Sequence, residues 1–186
     1  MTATHDTTYA FRAARPEDAE AIAAIDGSFT TSTVFEVAVA ADGFTLREVA
    51  VDPPLVKVFP EDDDGHGAEE EDEDRGAFVA VAADGGVAGF AAVSYSPWNR
   101  RLTIEDIEVA PGHRGRGIAR ALMGHAVHFA RQRGAEQIWL EVTNVNAPAI
   151  HAYRRLGFAF CGLDTSLYQG TGSEGEQALY MSMPCP

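Results

Sequence analysis

Lysine is almost missing from this 186-residue chain, where Lys57 is the only one. That scarcity removes one class of phosphate site. A Walker loop needs Gly-x-x-x-x-Gly-Lys-Ser/Thr, and no glycine run here ends in lysine. Cysteine is nearly as rare. Cys161 and Cys185 stand far apart without the spacing of metal ligands, so neither a disulfide framework nor a zinc module is expected. Six histidines are present, but His125 and His128 lack carboxylate or cysteine partners at ligand spacing, so no metal is expected. Long hydrophobic runs are missing as well. Nothing approaches the ~20 apolar residues of a membrane span, and MTATHDTTYAFR (1–12) lacks the apolar core of a signal peptide. A cytoplasmic protein with no membrane partner is the expectation.

Basic charge is also short. Twenty-eight acids face 14 bases, a formal net charge of −14. Ten of those acids lie in one run, EDDDGHGAEEEDED (61–74), which predicts a solvated, flexible loop over about residues 60–76. Outside it, 18 acids face 14 bases, so the rest of the chain is only mildly acidic. Charge of this sign argues against a nucleic-acid partner. What is there suffices for a core. Hydrophobic residues make up 46%, and the length suits a single domain over 1–186.

Hydrophobic spacing divides the chain into elements. Tyr9 to Ala13 reads as a strand, and Pro16 opens a helix whose Ile22, Ile25 and Phe29 recur at helical spacing. SFTTSTVF (28–35) is expected to leave that helix as a loop. Gly43 to Val51 and Leu55 to Phe59 read as strands separated by a turn at Pro53-Pro54. Ala77 to Ala82 and Val87 to Ser94 form a hairpin about Asp84-Gly85-Gly86, and a further strand runs from Arg101 to Val109. A helix to about Arg133, a strand at Gln137 to Thr143, a short helix from Pro148 to Leu156 and two closing strands follow. Hairpins first and strand–helix–strand later predict an α/β fold, a mixed, mostly antiparallel sheet with helices on both faces.

The chemistry concentrates at VAPGHRGRGIARAL (109–122). A strand that turns at once into a helix exposes unpartnered amides at the positive end of the helix dipole, which makes an anion cradle. Gly115 and Gly117 remove side chains where a phosphate must come close, while Arg114 and Arg116 add charge. The dinucleotide fingerprint Gly-x-Gly-x-x-Gly fails, because Arg120 takes the place of the third glycine. What remains is Arg-x-x-Gly-x-Ala: Arg114, Gly117 and Ala119.

That pattern resembles the acetyl-CoA signature of the GNAT acetyltransferase superfamily. NAPAIHAYRRLGF (146–158) is similar to the family's later signature. Nearly end to end, stretches such as DGSFTTSTVF (26–35), SYSPWNRRLTIEDIEVAP (94–111) and EQALYMSMPCP (176–186) resemble the streptothricin acetyltransferase family within it. Ala50 departs from that pattern, standing where proline is expected.

The resemblance implies a GNAT fold, splayed at the strand ending near Val109, and acetyl-CoA as co-substrate. The cofactor would meet the backbone of Ile107, Glu108 and Val109, the turn Arg114, Gly115, Arg116, Gly117, Ile118 and Ala119, and also Asn146 and Tyr153. Tyr153 takes the role of general acid, since a phenol's pKa of about 10 lies near that of a thiol. Glu141 is a candidate base. Strand alternation puts it on one face with Trp139, and a mid-strand carboxylate is costly to bury idle. Its rival lies in IEDIE (104–108), where Asp106 and Glu108 can share a face apart from Glu105. These three acids, with Asp26 and Phe29, form the expected substrate-binding set for a small cationic antibiotic carrying a β-lysine tail. Two other readings stay open, a protein N-terminal acetyltransferase and a non-catalytic CoA-binding module. A homodimer stays open too.

Overall fold

The computed structural model describes residues 9–59 and 73–186. The acidic stretch falls outside it except for Glu73 and Asp74, which form a turn. Among the described residues, nine strands run in chain order. They are β1 (Ala10–Ala13), β2 (Phe29–Ala40), β3 (Gly43–Lys57), β4 (Arg75–Val81), β5 (Val87–Ser96), β6 (Arg101–Val109), β7 (Gln137–Thr143), β8 (Ala159–Asp164) and β9 (Ala178–Pro184). Three α-helices accompany them: α1 (Ala19–Ala23), α2 (Ile118–Gln132) and α3 (Ala147–Leu156). The main sheet is mixed and mostly antiparallel, as the hairpin-then-crossover pattern predicts.

The described residues form two compact units. The first holds 9–27, 73–138 and 185–186. Its strands lie in the order β1-β4-β5-β6, each pair antiparallel. The β4–β5 turn is set by Asp84, whose Oδ1 accepts from the Gly86 amide at 2.9 Å, and by Gly85 at φ +87. Helix α2 packs on β4, β5 and β6. Its Ile118, Leu122, Met123, Ala126, Phe129 and Ala130 are buried at three- and four-residue spacing. Ile118 and Leu122 meet Ala80, Ala88 and Ala91, whose small side chains let the helix approach the sheet. Each such large aliphatic contributes about 2 kcal/mol of burial. Gly134, at φ +69, stops the helix.

The second unit holds 28–59 and 139–184. It contains the β2–β3 hairpin, most of β7, and β9 and β8 beside it in that order. Helix α3 packs on β2. Asn146 caps α3, its Oδ1 accepting from the Ala149 amide at 3.1 Å, and Gly157 at φ +104 ends it.

Three expectations change. Pro16 opens only a 3-10 turn (Pro16–Asp18) and the five-residue α1, so Phe29 is not on a helix. The chain has no regular structure over residues 25–28, and a Cβ on Gly27 there would stand 2.2 Å from Glu108 Oε1. From Phe29 on, SFTTSTVF is strand β2 rather than loop. Its β-branched Thr30, Thr31, Thr33 and Val34 suit a pleated ladder against β3. Finally, Pro53-Pro54 does not divide two strands. Thr31 pairs with Leu55 and Thr33 with Ala50, so residues 51–54 bulge from a continuous β3. Proline has no amide hydrogen to give a ladder, and a bulge is where a strand tolerates it.

Candidate active site

The glycine turn lies between β6 and α2. Gly115 and Gly117 hold φ of +75 and +80, conformations that side chains rarely adopt, and a Cβ on either would meet nothing within 4 Å. No side chain caps α2. An uncapped helix of 15 residues, with nothing among the described residues near a Cβ at either glycine, could hold a diphosphate, so the turn fits the ligand that the sequence suggested. Arg114 does not simply add charge. Its Nε donates to the Val109 carbonyl at 2.9 Å and its Nη2 to the Asp26 carbonyl at 2.8 Å, which staples the end of β6 to the loop after α1. Arg116 reaches the Tyr9 hydroxyl at 3.4 Å, and that hydroxyl also bonds His113 Nδ1 at 2.9 Å. Ala119 follows Ile118 in the first turn of α2, with Ile118 buried in the core beneath.

A β-bulge shapes β6. Ala92 pairs with Asp106 and Val93 with Ile104, leaving Glu105 as the extra residue. Apolar positions therefore pass from Leu102 and Ile104 to Ile107 and Val109, which pack against the α2 cluster. Asp106 and Glu108 share the other face. Glu105 stands apart, exposed, and accepts a hydrogen bond from the Ser94 hydroxyl. Burial pushes the Glu108 carboxyl up to about 7. Asp106 adds to the rise, Arg114 opposes it, and Asp26 adds again. The structure thus brings Asp26, Asp106, Glu108 and Arg114 within electrostatic reach. Phe29 belongs to the second unit, at the start of β2, with its ring 5.9 Å from that of Phe59.

In the second unit, Glu141 is half-buried on β7, and the hydroxyl of Tyr168 donates to its Oε1. Burial raises the Glu141 carboxyl above its ordinary range. The Tyr168 bond pulls it down, and nearby Glu176 raises it again. On the same face as Glu141, Trp139 stacks on Tyr180, centroids 4.8 Å apart. Tyr153 sits on α3 with its ring 5.8 Å from that of Phe158. Asn146, expected at the cofactor, uses its side-chain oxygen to cap α3. Among the described residues, no group of three or more His, Cys, Asp or Glu could hold a metal ion. Among the same residues, no helix is long and apolar enough to cross a membrane.

Three features escaped the sequence reading: Gly27, which the Glu108 carboxylate overlies, the bulge at Glu105, and Tyr168. A glycine directly after Asp26 and a lone aromatic in the polar stretch YQGTGSEGEQ (168–177) were the signals available. The bulge had none, because three acids in five residues keep no alternation that would betray a shift.

Comparison with known proteins agrees with the geometry. The family model described as the acetyltransferase (GNAT) family matches residues 44–158. A streptothricin acetyltransferase from Streptomyces lavendulae is 75% identical over 189 aligned residues, with 100% of both chains covered. One from Escherichia coli is 32% identical, with 83% of each chain covered. Among solved structures, a nourseothricin acetyltransferase superposes with a TM-score of 0.88 at 67% identity, covering 96% of this chain and 99% of its own. A Bacillus anthracis protein solved with acetyl coenzyme A shares the fold at 23% identity, TM-score 0.77, over 95% of this chain and 97% of its own. With the uncapped glycine turn leading α2, these matches place the chain in the GNAT acetyltransferase family.

Proposed function

We propose that this enzyme moves the acetyl group of acetyl-CoA onto an amino group of the β-lysine tail of streptothricin-class antibiotics, nourseothricin included, and so inactivates them. The observation that carries this reading is the 75% identity, with 100% of both chains covered, to a streptothricin acetyltransferase. Acetylation turns a cationic amine into a neutral amide and abolishes a charge that the drug presents.

The chain's own groups divide the work. The turn from Arg114 to Ala119 holds the diphosphate of the co-substrate, with Gly115 and Gly117 leaving its backbone open. When bound, acetyl-CoA supplies a thioester carbonyl open to attack by an amine. The backbone of Ile107, Glu108 and Val109 lines the pantetheine arm, and an amide there steadies the oxyanion. Asp26, Asp106 and Glu108 draw the cationic tail of the antibiotic, with Phe29 as an apolar contact. Glu141 takes a proton from the acceptor nitrogen, freeing the lone pair that forms the new C–N bond. Tyr153 gives its proton to the sulfur as the C–S bond breaks. Transfer is direct, with both substrates bound together.

Glu108 supplies a second reading of the base, because a carboxyl pushed up to about 7 matches a proton acceptor working near neutral pH. Comparing Glu141→Gln with Glu108→Gln decides between them. The variant that loses the acidic limb of the kcat/KM profile has lost the base. The overall function is tested by following free thiol. Release of CoA only when streptothricin is supplied is the expected outcome, and release no faster than background overturns the reading.

A further inference from the structure

β7 carries a set of polar contacts that acetyl transfer, as described, leaves unused. They tie it to the connection between β8 and β9, residues 165–177. Lys57 Nζ, in a side chain only 9% exposed, donates to Ser173 Oγ at 2.8 Å and pairs with Glu176 Oε1. The other oxygen of Glu176 accepts from Thr143 Oγ1 at 2.5 Å, and Thr143 lies two residues beyond Glu141 on the same strand. Asn144 completes the attachment. Its amide donates to the Gln177 carbonyl at 2.9 Å, and its Oδ1 accepts from the Gln177 amide at 2.8 Å.

The connection is braced internally as well. Thr171 donates to the Tyr168 carbonyl from its amide at 3.1 Å and from its hydroxyl at 2.8 Å. Tyr168 therefore stands on a turn anchored at one end through a buried ion pair, and from that turn its hydroxyl meets Glu141 Oε1. A half-buried carboxylate on a strand has several rotamers open to it. One donor held by a rigid turn selects among them.

We propose that Tyr168 is a positioning residue for acetyl transfer: held by the Lys57–Glu176–Thr143 clamp, it fixes the rotamer of Glu141 and leaves Oε2 to take the proton of the acceptor amine. The inference rests on the reading of Glu141 as the base. Burial and the facing carboxylate hold the Tyr168 hydroxyl protonated beyond its ordinary range, so it acts as donor throughout the working pH range. The same bond favours the charged form of Glu141 against burial.

The test compares Tyr168→Phe, Glu141→Gln and the double variant by thiol release with acetyl-CoA and streptothricin across pH, with thermal melting as the folding control. Phenylalanine keeps the ring and removes only the donor. The expected result is a kcat about 10-fold lower or more, with KM for streptothricin little changed. The acidic limb of the kcat/KM profile moves to higher pH, because Glu141 loses a bond that favours its charged form. The double variant is expected to be no slower than Glu141→Gln alone, since both changes act on one group. A Tyr168→Phe enzyme with an unmoved acidic limb overturns the inference, whatever its melting temperature, and so do losses that simply add. If Glu141→Gln keeps the wild-type profile, the base assignment fails and takes this inference with it. If Glu141→Gln abolishes turnover while Tyr168→Phe leaves the profile in place, only the positioning role fails.

Discussion

Glu108 is the residue whose environment speaks most directly about pH. Its carboxyl titrates near 7 in the fold and near its ordinary 4.5 in an unfolded chain. The protonated form is thus favoured by folding, and ionisation works against it. Stability should fall as pH rises from about 4.5 to about 7 and then level off, and Glu108→Gln should remove that slope in melting temperature. Binding runs the other way. The KM for a cationic substrate should drop as pH climbs through about 7, where the carboxylate forms, and Glu108→Gln should raise KM about threefold or more at alkaline pH. Gly27 gives an independent handle, because a Cβ there would meet Glu108 Oε1 at 2.2 Å. Gly27→Ala should displace the carboxylate and raise the same KM, with a smaller effect on KM for acetyl-CoA. Of this group, Asp106 and Glu108 were legible from strand alternation alone. Their neighbour Gly27 was not, since nothing in a sequence says which side chain lies over a glycine.

At the scale of elements, the β6–α2 junction and α3 are the parts that sequence defined best. Glycines at positive φ, an apolar stripe in α2 and an Asn-x-Pro start to α3 each have one structural meaning. Gly117→Ala should cost about 1 kcal/mol of strain at φ +80 and narrow the proposed diphosphate cradle. Calorimetric titration should then show weaker acetyl-CoA binding, with streptothricin KM little affected. Asn146→Ala removes the cap of α3 and should lower stability by about 1 kcal/mol in urea unfolding. The segment from Ile22 to Phe35 was read wrongly for a physical reason. Ile22, Ile25 and Phe29 satisfy helical spacing, but the β-branched threonines after Phe29 find a partner in β3, and pairing over 12 residues outweighs a local pattern. The prolines at 53 and 54 misled similarly, because the strand bulges around them instead of ending.

Across the whole molecule, charge is partitioned. Arginines gather at the mouth of α2, acids on the neighbouring face of β6, and a further block of acids in the 61–74 run. Deleting residues 61–72 removes eight acids. That deletion should leave kcat at saturating substrate unchanged. A rise in KM for the cationic substrate at low salt that vanishes near ~0.15 M salt would identify the segment as a long-range lure. Lys57 balances the opposite extreme, one buried cation in an acidic chain. Lys57→Met strands Glu176 without its partner and should cost about 3 kcal/mol of stability. The same burial has a chemical consequence. An enzyme that works beside a reactive thioester carries no lysine amine on its surface for that thioester to modify. The one it has is buried, ion-paired and hydrogen-bonded, so amine-directed dyes, cross-linkers and stray acetyl donors should leave the side chains of the folded protein unmarked.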